Sequence, residues 1–331
     1  MGNNALRAVI GALLATALTA DAQAAGYHAP RNAFGQPDLE GMWDNGWLTK
    51  LERPARYAAG EISEAEARVY EAHPPPVVTD DVGGNETEMW EMGGRLARIG
   101  GRPRMAIITV PADGKLPYTE AGRAKVDAVV RTASKNFDNP EPRNTSEQCL
   151  IANSIGPPML IGLYANNIQI VQSRDSVVLM LEWNHEARIV RLGHRTHLPA
   201  AIRPWMGDAV GWWEGETLVI ETTNFNDRQE PRRSGLENYY LSPGSKVIER
   251  FTRISPTEIL YQFSVEDPAT YRQVWRGELP MVSTSAKTFE FACHEGNYAL
   301  PNILAGARAG ERGPSPTASA GTPTEAAARS R

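Results

Sequence analysis

Three of the six histidines lie close together in the sequence, at His185, His194 and His197. Imidazole is the commonest metal ligand and titrates near neutrality, so this spacing is compatible with a metal site or with acid–base chemistry. If the runs flanking His185 form a hairpin, Glu182 and Arg188 lie near each other across its turn, whereas the other two histidines follow at the far end of the second strand. An acid–base cluster is therefore favoured over a three-histidine metal site. Ordinary turn or surface histidines are the alternative.

A second group of polar residues follows Cys293. If Cys293 is held in a disulfide, His294 and Glu295 lie on a fixed backbone, and fixed geometry is what a general acid or base requires. Tyr298 adds a phenolic donor to this group. The alternative is that the turn beside a disulfide is rigid for packing reasons alone.

Aromatic side chains surround a third candidate site. Trp205 and Trp213 lie on either side of Asp208 in the sequence, and aromatic residues beside a carboxylate suit an apolar pocket. Thr222 and Asn224, on a later strand-like run, could hydrogen-bond a ligand where they face inward. Because tryptophans also plug the cores of β proteins, a packing role for Trp213 remains open.

The only two cysteines, Cys149 and Cys293, are far apart in the sequence and form no Cys-x-x-Cys motif. For an exported protein this predicts one structural disulfide. The competing hypothesis, a nucleophilic Cys293 beside His294, requires a reduced thiol.

Short β-branched runs separated by turn residues occupy the second half of the chain. Eight or nine such runs predict an antiparallel meander, which must close or stack to hide its edges. We expect a mainly β fold with a lipocalin-like barrel, and a β-sandwich is the alternative. The predicted strands lie at 168–172, 177–183, 188–192, 211–213, 217–225, 246–254, 258–266, 271–279 and 288–292.

The regions outside this β core, which we place at 161–305, are of three kinds. Residues 1–25 carry a lone Arg7, a short apolar run and a small-x-small pattern, which indicate a cleaved secretory signal too short to span a membrane. Residues 26–160 are mixed and loop-rich and are expected to pack on the barrel. Residues 306–331 contain few large apolar side chains and are expected to be disordered.

Helices are predicted within the first half of the chain, at 63–72, 86–99 and 119–135. The last has the clearest signal, because Thr119 is a suitable N-cap and apolar residues recur after it at near-helical spacing.

Composition excludes several classes of function. A net charge of −5 with a pI near 5.8 lacks the basic excess of nucleic-acid-binding proteins. The sequence contains no Gly-x-Ser-x-Gly elbow, phosphate loop, dinucleotide fingerprint or His-Glu-x-x-His motif. We expect no cofactor, no nucleic-acid partner and no membrane span, and we expect a periplasmic or secreted protein whose oligomeric state is open.

Several strings resemble those of a widespread group of exported bacterial proteins of unknown function. They lie at 205–208, 213–225, 249–251, 293–298 and 302–308, and with the opening near residue 37 the resemblance spans roughly 37–308. It implies an exported β-rich protein and supplies no catalytic residue. The Gly41-Met42-Trp43 triplet and residues 213–215 are also similar to lipocalin-like barrels, in which the Trp plugs one barrel end.

Two classes of function are consistent with these features. The first is a cofactor-independent enzyme of lyase, isomerase or hydrolase type, in which His185 or His294 moves a proton and Asp208 or Glu182 orients it. The substrate would be hydrophobic, and aromatic or terpenoid-like. The second is a non-catalytic carrier of a hydrophobic small molecule, and a His/Glu metal-dependent enzyme is a further alternative.

Overall fold

The secondary structure comes from a computed structural model that describes residues 27–74, 94–133, 136–151, 156–235 and 237–312. The predicted signal peptide lies outside these residues. The strands are β1 Gly41–Asp44, β2 Arg98–Ile99, β3 Arg102–Pro103, β4 Ile108–Val110, β5 Asn167–Gln172, β6 Ser176–Leu181, β7 Ala187–Leu192, β8 Asp208–Glu214, β9 Thr217–Thr223, β10 Arg232–Ser234, β11 Glu237–Tyr239, β12 Lys246–Ser255, β13 Glu258–Glu266 and β14 Trp275–Ser283. The helices are α1 Glu64–Ala72, α2 Glu120–Ala133 and α3 Ala299–Glu311.

Nine of the described strands close into a β-barrel in the order β1-β5-β6-β7-β8-β9-β12-β13-β14. Pairing of β1 with β14, where Trp43 is opposite Ser283, completes the ring. Neighbouring strands are antiparallel except β7 and β8, which run parallel. The predicted lipocalin-like barrel is therefore confirmed, with one parallel step in the predicted meander.

Trp43 lies at the seam of this barrel. Its side chain is buried, and its indole Nε1 donates to the Leu39 carbonyl at 2.9 Å. The guanidinium of Arg253 lies over the ring, 5.6 Å from its centroid. The strand that closes the ring is thus fastened through a side chain as well as through the backbone.

Alternating side chains fill the barrel interior. In β6 the buried residues are Val177, Leu179 and Leu181, and the residues between them face outward. Aromatic rings meet across the β12, β13 and β14 strands, with Phe251 and Tyr261 centroids 4.9 Å apart. The interior is therefore packed with side chains in the manner of a small barrel.

Two of the predicted helices form as expected. Ser63 and Glu66 make a reciprocal capping box at the start of α1. At α2, the Thr119 hydroxyl accepts from the Gly122 amide at 3.0 Å, which confirms the predicted N-cap. Residues 134 and 135, predicted as its last turn, lie outside the described residues.

The predicted helix at 86–99 is wrong over its described part, residues 94–99. Residues 94–97 have no regular structure, and residues 98–99 form β2. Strand β2 pairs with β3 because Gly100 and Gly101 both adopt positive φ (58° and 76°) and make a tight turn between the two strands. Residues 86–93 lie outside the described residues.

Three boundaries in the β region also differ from expectation. The strand predicted at 271–279 begins at Trp275, and the one predicted at 288–292 does not form. The barrel draws β1 from the region before residue 161, so the β core is not confined to 161–305. Helix α3 continues to Glu311, past the predicted start of a disordered tail at 306. Residues 313–331 lie outside the described residues.

The predicted disulfide is present and joins Cys149 to Cys293. It links the loop that precedes β5 to the chain that follows β14. Because both cysteines are bonded, the thiol-nucleophile hypothesis for Cys293 is excluded in this state. No helix in the described part of the chain is long and apolar enough to cross a membrane.

We expect removal of this bridge to destabilise the protein strongly. The bridged cysteines are 144 residues apart, and closing a loop of that length contributes about 5 kcal/mol in the chain-entropy model. Replacing both cysteines by Ser should lower the free energy of unfolding by up to this amount, as measured by urea denaturation. Reducing the wild-type bridge should cause a similar loss, and an unchanged unfolding midpoint in both samples would contradict the prediction.

Candidate functional site

The parallel pairing of β7 with β8 leaves a gap in the barrel wall. Only Arg191 and Leu192 of β7 face partners in β8, so the start of β7 is unpaired on that side. A cavity of about 300 Å³ lies in the gap, and we call it the wall pocket. Its lining residues are Glu186, Ala187, Arg188, Ile189, Pro204, Trp205, Met206, Gly207 and Ala209. The volume is at the lower end of the range for small-molecule sites.

Glu186 provides the titratable group of the wall pocket. It follows a short 3₁₀ turn, Trp183–His185, in which Asn184 and His185 have positive φ, and its own backbone is extended. Its side chain is partly buried, and loss of solvent raises the pKa of its carboxyl above the ordinary value of 4.5. A desolvated carboxyl in a cleft is typical of a general acid or base.

Arg188, at the buried side of the pocket, belongs to a network inside the barrel. Its side chain is 1% exposed and makes two bonds to the Glu249 carboxylate, at 3.1 and 2.5 Å. Tyr261 donates to the same carboxylate at 2.9 Å, and Thr222 lies 3.4 Å from Arg188 Nη2. Burial and the neighbouring Glu249 raise the pKa of Tyr261 well above its ordinary value. We call Arg188, Thr222, Glu249 and Tyr261 the interior network.

A second buried guanidinium lies close to this network. Arg232 bonds to Gln229 Oε1 at 2.8 Å and to the carbonyl oxygen of Trp205 at 3.4 Å. Burial, together with the charge of Arg188, lowers its pKa. Gly156 adopts a φ of +119°, a conformation that favours glycine, and a Cβ there would lie 2.3 Å from Arg232 Nη1. Arg232 therefore supports the backbone that presents Trp205.

The outer face of the same wall carries a separate cluster. Asp208 accepts from Arg191 at 2.7 and 2.9 Å, lies 2.8 Å from His197 Nδ1, and accepts from the Leu198 amide at 2.9 Å. The other ring nitrogen of His197 is 3.0 Å from Glu221. We call Arg191, His197, Asp208 and Glu221 the outer cluster. Both nitrogens of His197 are engaged, so neither is left to exchange a proton with a substrate.

The outer cluster holds the loop that connects β7 to β8. Asn224 Nδ2 donates to the Leu198 carbonyl at 2.9 Å, and Arg203 Nη1 donates to the Phe225 carbonyl at 3.3 Å. These contacts fasten the loop to the end of β9. The predicted site residues Asp208, His197 and Asn224 therefore position the chain on either side of Trp205 and do not line the wall pocket.

Glu182 and His185 contact the chain after β14. Glu182 accepts from the Phe289 amide at 3.3 Å, and His185 Nε2 lies 3.0 Å from the Phe289 carbonyl oxygen. The expected approach of Glu182 to Arg188 across the hairpin is wrong, because Arg188 faces inward to Glu249 and Glu182 bonds to Asn167. Nor does His185 share a partner with His197.

The remaining predicted residues are also separate from the wall pocket. His294, Glu295 and Tyr298 are exposed beside the disulfide. Trp213 packs against the barrel core opposite Leu218, toward the other end of β8. Thr222 does not line the pocket, but it is paired with the lining residue Ala209 and lies 3.4 Å from Arg188 Nη2. Of the predicted substrate-binding residues, Arg188 and Trp205 line the wall pocket directly.

Sequence reasoning missed Glu186, although a signal for it was present. Glu186 stands two residues before Arg188, and alternation along an extended chain places such residues on the same face. The hairpin prediction, however, put Glu186 in the turn before a strand that began at Arg188. What could not be seen was the gap in the wall that exposes this face to a pocket.

The described residues include no group of three or more His, Cys, Asp and Glu side chains arranged to hold a metal ion. A larger groove of about 750 Å³ lies beside α2, where Arg123 and Arg272 are exposed. Its desolvated titratable group is Tyr118, and burial raises the pKa of that phenol further above its ordinary value of 10. Tyr118 therefore keeps its proton at neutral pH, whereas the wall pocket offers a carboxyl that can act as a base.

Comparison with protein-family models, curated proteins and solved structures finds no match to this chain.

We expect Arg188 and Glu249 to be strongly coupled in stability. Arg188→Met or Glu249→Met alone leaves a buried charge unpaired and should cost about 3–5 kcal/mol of unfolding free energy. The double variant should cost clearly less than the sum of the two, as measured by urea denaturation. Lys246→Met, which breaks the exposed pair with Glu266, is the control and should cost less than about 1 kcal/mol. Additive losses at Arg188 and Glu249 would contradict the coupling.

Glu186 should destabilise the fold at neutral pH. Because its folded-state pKa is raised, its favourable contribution is complete below the ordinary value of 4.5 and is lost as the pH rises through the raised value. Glu186→Gln should therefore raise the unfolding midpoint at pH 7 by about 1–2 °C, a small effect because the side chain is partly solvated. The difference should vanish below pH 4.5. Asp227 is exposed, so Asp227→Asn should leave the unfolding midpoint unchanged both at pH 7 and below pH 4.5.

Proposed function

We propose that this chain is an exported enzyme that carries out acid–base chemistry, of lyase, isomerase or hydrolase type, on a small hydrophobic substrate in the wall pocket. The observation that carries the proposal is the partly buried Glu186 carboxyl at a pocket that is walled by Trp205 and Met206 and has Arg188 at its buried side. Glu186 supplies a general base, Trp205 and Met206 supply an apolar wall, and Arg188 supplies a hydrogen-bond donor in a fixed position.

The proposed division of roles follows from the surroundings of each residue. Glu186 is partly desolvated, so it binds a proton more readily than an exposed carboxyl and can accept one from a substrate near neutral pH. Trp205 and Met206 exclude water from an apolar substrate body. Arg188 is held by Glu249, so its position is fixed before a substrate arrives.

Export is supported by two features. The disulfide between Cys149 and Cys293 suits an oxidising compartment. The apolar run near the amino terminus has the pattern of a cleaved signal. Membership of the group of exported bacterial proteins stays a prediction.

The proposal predicts that turnover depends on Glu186. In a panel of small apolar esters, lactones and ketones, Glu186→Gln should reduce kcat/KM for the best substrate by about 10²–10⁴, the range for loss of a general base. For the wild type, kcat/KM should rise with pH through the raised pKa of Glu186, because the base must be ionised.

Glu258→Gln is the matched control for this experiment. Burial also raises the pKa of Glu258, but this residue lies at the start of β13 and does not line the wall pocket. Its replacement should leave kcat/KM within about twofold of the wild-type value. Equal losses in the two variants would show that desolvated carboxyls affect the fold and not the chemistry, and would overturn the role of Glu186.

A carrier is the second candidate, favoured by the small volume of the wall pocket and by a barrel scaffold. It would bind the same hydrophobic probes in the wild type and in Glu186→Gln with similar affinity. It would turn over none of them.

A further inference from the structure

One buried nitrogen of the interior network has no hydrogen-bond partner. Both terminal nitrogens of Arg188 bond to Glu249, but its Nε meets no acceptor among the described residues, although the atom is buried. A buried donor left in this state costs roughly 1–3 kcal/mol, and such groups are rare in folded proteins. Arg188 lines the wall pocket, but its Nε is closed to solvent, so a bound molecule supplies the missing acceptor only by displacing the atoms that cover this nitrogen.

The charges around this nitrogen favour a neutral acceptor. Glu249 already compensates the charge of Arg188 through two bonds, so the pair as a whole does not call for an anionic ligand. Arg232 lies close enough to influence both, and it adds positive charge on this side of the pocket. Negative charge that develops on the acceptor during a reaction would therefore be stabilised more than the neutral ground state.

Glu186 lies at a suitable separation from this donor. Two residues along an extended chain span about 6.6 Å between their Cα atoms, and their side chains point to the same face. A carbonyl oxygen and the carbon next to its carbonyl carbon are only two bonds apart. A small molecule can therefore present its oxygen to Arg188 and a C–H group to Glu186 at the same time.

We propose that the wall pocket takes small apolar aldehydes or ketones, with the carbonyl oxygen accepting a hydrogen bond from Arg188 Nε and the adjacent C–H facing Glu186. The proposal rests on the acid–base function proposed above and names its substrate class.

The proton transfer balances within these groups. The Glu186 carboxylate takes a proton from the α-carbon, the C–H electron pair forms a C=C bond, and the carbonyl π pair moves onto the oxygen beside Arg188. The protonated Glu186 then returns the proton to the enolate carbon, which regenerates the carboxylate. The net result is exchange or migration of a proton, with no oxidant or reductant.

Matched probes test the recognition of the carbonyl group. Acetophenone and ethylbenzene have similar shapes and differ in having C=O or CH₂ beside the ring, and benzoate replaces the neutral acceptor by an anion. Binding to the full-length wild-type protein is measured by ligand-observed NMR titration. Acetophenone should bind about tenfold or more tightly than ethylbenzene, and more tightly than benzoate.

Arg188→Lys keeps a positive charge beside Glu249 and removes the Nε donor. This variant should bind acetophenone and ethylbenzene with nearly equal affinity. If it does not fold, the comparison of probes in the wild type decides the proposal alone. Equal binding of these two probes to the wild type, tighter binding of benzoate, or binding of neither hydrocarbon nor ketone would each overturn it.

Deuterium exchange at the acetophenone methyl group separates this inference from the proposed function. In D₂O the wild type should accelerate exchange, and Glu186→Gln should lose that acceleration while retaining the carbonyl preference in binding. A carbonyl preference without exchange in the wild type would support the recognition by Arg188 and overturn the acid–base function. Exchange in the wild type without a carbonyl preference in binding would support the acid–base function and overturn the recognition by Arg188.

Discussion

The ion pair of Arg188 with Glu249 is the interaction on which the interior of the barrel depends. Both side chains are almost completely buried, and removing two charges from water is costly unless each is well bonded. The second carboxylate contact from Tyr261 and the approach of Thr222 help to offset that cost. Because these residues come from β7, β9, β12 and β13, the pair also fixes the relative positions of four strands.

The inner and outer faces of the barrel wall each position a different part of the wall pocket. Inside, the interior network holds Arg188 at the wall pocket. Outside, Asp208 gathers Arg191, His197 and the Leu198 amide, and thereby fixes the loop that carries Trp205. Asp208 and His197, which were predicted to be catalytic and substrate-binding residues, therefore contribute by positioning the side chain of Trp205. The one titratable group left without such a structural role at the pocket is Glu186.

Local patterns predicted much of the barrel. The β13 strand was placed at its observed bounds, and β5, β6 and β7 differ by one or two residues, because alternation and turn residues act within a few positions. The closure by β1 was not foreseen, since Trp43 and Ser283 meet through contacts far apart in the sequence. Glu186 and the wall pocket were not predicted from the sequence for the same reason. They depend on which strand lies beside β7, and no local signal encodes a neighbour.

Parity explains why the barrel contains a pair of parallel strands. Going round a closed ring of strands, the direction must return to its starting value, so the number of direction reversals is even. A ring of nine therefore contains at least one pair of strands that point the same way. Here that pair is β7 and β8, and the chain must travel back along the barrel between them, through residues 193–207. An even-membered ring could alternate throughout with short hairpins and would need no such return. The odd strand count thus accounts for the parallel pair and for the return loop, and the opening arises because this pair joins only two residues of β7 to β8.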